Sequence, residues 1–175
     1  YVFQSLLHAR LLAPGDRIAL GVPIFTPYLE LPRLPEYRFE VVPVVQDEAA
    51  GWRTPAAQLD RLRDPRVKVF LVVNPSNPTA VAMDAAAAER IAQIVRERPE
   101  LIVITDDVYA PFVEGFRSLA AVVPRNTIVL YSFSKFWGAT GLRLGVVGLH
   151  ASNALNSPRA AATSWNAGRS SRHGA

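Results

Sequence analysis

The chain has 175 residues, half of them apolar, and a formal net charge of +4. That is enough for one sizeable hydrophobic core, and the lack of cysteine excludes a disulfide framework, a thiolate metal site and a thiol nucleophile. No basic run is interleaved with aromatics, no segment reaches the roughly 18 uninterrupted apolar residues of a membrane span, and the opening YVFQSLLHAR lacks the layout of a secretory signal, so the expectation is a cytoplasmic protein with neither nucleic acid nor membrane as partner.

Apolar residues at helical spacing over Val2 to Leu12 predict a helix, stopped by Pro14-Gly15-Asp16. Arg17 to Val22 reads as a short strand. Arg38 to Val45 reads as another, which Pro43 places at an edge or an early end. Thr54 as N-cap and Pro55 at the first helical position predict a helix to about Arg63. Val67 to Val73 is a nearly continuous β-branched run of the kind buried on both faces. Asp84 then caps a long helix that Pro99 follows. Leu101 to Thr105 and Thr127 to Tyr131 are two more buried strands, and Leu144 to Leu149 is a last one. Strands alternating with helices predict an α/β domain over residues 1–150, a mainly parallel sheet with helices on both faces. Residues 151–175 are rich in Ala, Ser, Asn and Arg without periodicity and read as a disordered tail.

In such sheets ligands gather at the carboxyl ends of the strands. The unusual polar residues of this chain fall there. Asn74 to Thr79 follow one strand, Asp106, Asp107 and Tyr109 the next, and Ser132, Ser134 and Lys135 the third, with Gly138, Gly141, Arg143 and Gly145 beyond. Each piece has an ordinary explanation. Asn-Pro pairs form turns, an aspartate or serine after a strand caps a helix, and a loop lysine is usually solvated. Their conjunction at one sheet edge points to a ligand.

NPSNPT, DDVYAPF and SFSKFWGATGLRLG come in the order and at the approximate spacing of three elements of the class I and II aminotransferases, which the chain resembles over about residues 1–150. The resemblance implies the large, cofactor-binding domain of a fold-type I enzyme that uses pyridoxal 5'-phosphate, incomplete at both ends. It implies that Lys135 forms the Schiff base with the cofactor and shuttles the α-proton. Asp106 would pair with the pyridine nitrogen, and Tyr109 and Asn77 would hydrogen-bond the phenolic oxygen. Ser132, Ser134 and Arg143 would hold the phosphate, and Phe25 would stack on the ring. For Phe25 an ordinary core position is the competing reading.

Two residues depart from the family's pattern: Ala80 stands where glycine is usual and Leu142 where tryptophan is usual. Within the family, PIFTPYLEL and YSFSKFWGATGLRLG look most like the branch that converts aspartate to alanine by β-decarboxylation and also transaminates. A general aspartate or aromatic aminotransferase is the alternative. The resemblance further implies amino-acid and 2-oxo-acid substrates and a homodimer or higher oligomer. A non-catalytic remnant of such an enzyme is a second reading. A doubly wound nucleotide-binding protein is a third, and the chain has neither Gly-x-Gly-x-x-Gly nor a phosphate loop to support it.

Overall fold

A computed structural model describes residues 2–156. Six strands form one sheet: β1 (Arg17–Val22), β2 (Glu40–Val45), β3 (Val67–Val73), β4 (Ile102–Asp106), β5 (Thr127–Ser132) and β6 (Gly145–Leu149). Their spatial order is β2-β1-β3-β4-β5-β6. Every neighbouring pair is parallel except β5 and β6, which run antiparallel. β2, the strand that contains Pro43, lies at an edge as expected. The chain moves from β1 outward to β2 and then returns past β1 to β3, so the strand order reverses between β1 and β3. That is a topological switch point, where sheets of this kind open a crevice at their carboxyl ends.

Strand alternation divides the core into two layers. Ala19, Phe70, Val72 and Val103 face one side with Leu59, Leu62, Ile91 and Ile94. Ile18, Leu20, Val69, Leu71, Ile102, Ile104 and Ile128 face the other, with Phe3 and Leu6. A register shift between Arg17 and Ile18 of β1 skips Lys68 of β3, so Val67 turns to the side opposite Val69. Helices therefore cover both faces of a mainly parallel sheet.

The helix α1 (Val2–His8) is shorter than its apolar spacing predicts. Arg10 adopts a left-handed conformation at φ 57, Leu11 N–H donates to the Leu6 carbonyl, and Arg10 N–H donates to Leu7. This is a Schellman ending built on arginine instead of glycine, which hid it in the sequence. A one-turn helix α2 (Pro27–Glu30) follows β1. The helix expected from Thr54 begins later, as α3 (Ala56–Leu59), with Pro55 extended at its N-cap, no side-chain cap, and a tight 3-10 turn over Asp60–Arg63. Pro55 is itself extended at ψ 144, so the N-cap falls on it and Thr54 stands one residue too early to cap, while Pro65 ends the 3-10 turn by holding Asp64 extended. By contrast α4 (Ala85–Glu97) forms as its sequence dictates. The Asp84 carboxylate accepts from Ala87 N–H at 2.8 Å, and Ala87, Ile91, Ala92, Ile94 and Val95 make one buried stripe.

β5 is less buried than its composition suggests: only Thr127 and Ile128 are fully covered, and β6 is exposed along nearly its whole length. Gly145 is needed where β6 starts, because a Cβ there would meet the Tyr131 carbonyl at 2.9 Å. Of the segment expected as a tail, Ala151–Asn156 are described. Asn153 is buried, its amide donates to the carbonyls of Pro124 and Thr127, and Ala154 N–H donates to Arg125. Residues 157–175 lie outside the described residues.

Candidate active site

The carboxyl ends of the central strands carry their alternation into the crevice. Val73, Asp106 and Ser132 continue the face that Leu71, Ile104 and Leu130 present to α1 and α2, whereas Thr105 and Asp107 continue the opposite face. One parity step thus separates two adjacent aspartates. Asp107 is buried and accepts a hydrogen bond from the Thr105 hydroxyl, while Asp106 lines a cavity of about 340 Å³.

All eight residues expected to hold a ligand line that one cavity: Phe25, Asn77, Asp106, Tyr109, Ser132, Ser134, Lys135 and Arg143. They arrive from four separate chain segments, after β1, β3, β4 and β5. Phe25 is 50% exposed, so it is a cavity wall and not a core residue. Asn77 donates its amide N–H to the Tyr109 hydroxyl at 3.3 Å. Asn74, by contrast, serves the turn: it is buried, and its side-chain oxygen accepts from Met83 N–H at 2.8 Å. Ser132 Oγ accepts from Ser134 N–H at 3.2 Å and fixes the start of the lysine loop.

Gly138 turns that loop at φ 61, donating to the Lys135 carbonyl. Thr140 bridges its two ends, because its hydroxyl donates to the Ser134 carbonyl at 3.0 Å and its own carbonyl accepts from Arg143 Nη1 at 3.1 Å. Among the described residues neither Lys135 nor Arg143 has a carboxylate within ion-pair distance. Two such cations at one cavity suit an anionic ligand.

The Asp106 carboxylate is largely desolvated, and burial pushes its pKa above the usual carboxylate range. Two hydrogen bonds oppose that shift: the Tyr28 hydroxyl donates to Oδ2 at 2.7 Å, and Val108 N–H donates to Oδ1 at 3.2 Å. Each oxygen retains a lone pair for a donor in the cavity. The donor set fits pyridoxal 5'-phosphate: one primary amine, one half-buried carboxylate, an arginine fork with two serines, and a wall aromatic.

Sequence reasoning missed Tyr28 and Thr140. Both lie inside quoted stretches, PIFTPYLEL and SFSKFWGATGLRLG, but at positions given no role; for Tyr28 the available signal was parity, since α2 packs on the face of the sheet to which Asp106 belongs.

Of the two departures, Leu142 is exposed. Ala80 sits at φ 59, in the left-handed region, within the turn in which its N–H donates to the Ser76 carbonyl at 2.9 Å. That conformation strains a Cβ, so Ala80→Gly is expected to stabilise the fold by about 1 kcal/mol. A urea-unfolding midpoint that stayed level or fell would show that the turn carries no such strain.

Comparison with known proteins follows the same lines. Residues 4–175 match the family described as aminotransferase class I and II. The chain is 50% identical over 157 residues to a bifunctional aspartate aminotransferase and L-aspartate beta-decarboxylase of Pseudomonas sp, a match covering 89% of the chain and 30% of that protein. It is 37% identical over 145 residues to an aspartate aminotransferase of Streptomyces avermitilis, covering 79% of the chain and 35% of the relative. An alanine aminotransferase from Pyrococcus furiosus superposes with a TM-score of 0.78 at 27% identity, covering 96% of the chain and 42% of that structure. The chain thus spans about a third of the length of these curated relatives.

Proposed function

This chain belongs to the class I and II aminotransferases, and from that premise we propose that it forms the cofactor-binding part of a pyridoxal 5'-phosphate enzyme that moves amino groups between amino acids and 2-oxo acids. The observation that carries the reading is the convergence of Lys135, Asp106 and Arg143 on one cavity from the ends of two strands, β4 and β5.

The cofactor, when bound, supplies an aldehyde carbon for the amino group and a conjugated ring that spreads the electron pair left by the departing α-proton. The residues divide the remaining tasks. Lys135 Nζ would be the covalent anchor and, when free, the base that would take and return the α-proton. Asp106 would hold the protonated ring nitrogen through a charge-assisted hydrogen bond. Tyr109, oriented by Asn77, and Asn77 itself would donate toward the phenolic oxygen. Ser132, Ser134 and Arg143 would grip the phosphate, and Phe25 would cover the ring.

Aspartate is the substrate the relatives favour. The 50% identity to a protein named for both aspartate transamination and β-decarboxylation supports the finer reading, in which aspartate also yields alanine and carbon dioxide. A homodimer or higher oligomer and a cytoplasmic location belong to the same proposal. Among the described residues no helix is long and apolar enough to cross a membrane. The test is incubation of the chain and cofactor with aspartate and 2-oxoglutarate. Glutamate is the expected product, with alanine and carbon dioxide if the decarboxylating branch is correct. Bound cofactor with no transfer from any amino acid would reduce the function to cofactor binding.

A further inference from the structure

Asp106 is useful to the proposed chemistry only as a carboxylate, and its surroundings work against that state. It ends β4 on the face packed against α2, and desolvation favours its neutral form. The Asp107 side chain is directed to the opposite face of the sheet. Tyr109 reaches the cavity from the turn after β4, and Lys135 and Arg143 line it from beyond β5. From α2 comes a single polar group, the Tyr28 hydroxyl, at 2.7 Å from Oδ2. That contact crosses 78 residues of sequence and is the shortest hydrogen bond Asp106 makes. Tyr28 is itself held in place, its ring edge-on to Phe25 with centroids 6.2 Å apart.

We infer that Tyr28 is a positioning residue whose hydroxyl keeps Asp106 ionised and aimed into the cavity. The inference rests on the functional reading above for its purpose, although the hydrogen bond exists without the cofactor. The tyrosine can serve only as donor here, because burial and the facing carboxylate push its own ionisation far above the usual tyrosine value. A phenol that stays protonated throughout the working range gives Asp106 a constant partner. Removing the hydroxyl leaves burial opposed by the Val108 N–H alone, so the carboxyl titrates at higher pH and retains its proton further toward neutrality.

The test is a carbon-13 NMR titration of aspartate carboxyls in the cofactor-free chain, with the Asp106 resonance assigned from its loss in Asp106→Asn. Tyr28→Phe keeps the ring and its contact with Phe25 and removes only the donor. The Asp106 midpoint is expected to rise by about one to two pH units. Thr105→Val, which strips a hydrogen bond from Asp107, should move the Asp107 midpoint and leave that of Asp106 in place. An Asp106 midpoint unchanged in Tyr28→Phe, or moved equally by Thr105→Val, overturns the inference. The same samples separate this result from the functional reading. If wild-type chain fails to retain pyridoxal phosphate while the midpoint shifts, the role of Tyr28 toward Asp106 stands and the cofactor assignment falls.

Discussion

Replacing Lys135 with alanine is expected to lower amino-group transfer by about a thousandfold or more and to leave pyridoxal phosphate held only by reversible contacts. The proposed function assigns two tasks to one atom, the covalent hold on the cofactor and the movement of the α-proton, and each depends on a primary amine inside the cavity. The chain has no substitute. Its other lysine, Lys68, lies near the start of β3, about 17 Å of strand from the carboxyl end where the cavity opens, and its amine is engaged with the Pro65 carbonyl. The phosphate contacts proposed for Ser132, Ser134 and Arg143 would survive the change, so cofactor affinity should fall far less than turnover. A Lys135→Ala chain as active as wild type would remove Lys135 from the chemistry. A variant that lost all cofactor contact together with its fold would instead mark Lys135 as a structural residue.

Arg98→Met is expected to produce the largest loss of stability, about 3 kcal/mol or more in urea unfolding. Arg98 follows α4 with its side chain buried. Its guanidinium donates to the carbonyls of Leu62 at 2.6 Å, Asp64 at 2.7 Å and Val67 at 2.9 Å, and to Glu100 through Nε and Nη2. One planar fork thereby closes the turn that leads from the 3-10 segment Asp60–Arg63 into β3. Methionine matches the stem but strands those acceptors, and a buried carbonyl or carboxylate without a donor costs about 1–3 kcal/mol. Lysine preserves the charge as a point without the fork, so Arg98→Lys should fall between the two. With domains stable by about 5–15 kcal/mol in total, a loss of this size is readily measured. A loss under 1 kcal/mol for Arg98→Met would mean that water replaces the guanidinium at those carbonyls.

Arg98 also illustrates what the sequence conceals. A basic residue at a helix end reads as an ordinary partner for the helix dipole, and nothing local announces acceptors 31 to 36 residues away. Tyr28 is hidden for the same reason, since its partner is 78 residues distant. Strongly periodic segments were legible: Val67 to Val73 and the stripe of α4 have only one physical reading each, and both form as expected. Ends of elements were less so. Arg10 takes the left-handed role that glycine usually signals, and Pro55 displaces the cap from Thr54. The site was legible because its residues cluster after successive strands, where the sheet topology gathers them. Which of Asp106 and Asp107 faces the cavity was fixed by strand parity, and that parity can be counted from Ile102 and Ile104.

The central claim is that Lys135 is the residue through which this chain holds pyridoxal phosphate. Its most direct test is borohydride reduction of the purified chain with the cofactor, followed by peptide mass mapping of the attached group. The expected result is one equivalent, confined to the peptide containing Lys135 and lost in the alanine variant. Label divided among Lys135, Lys68 and the terminal amine, or no reducible attachment at all, would contradict the claim.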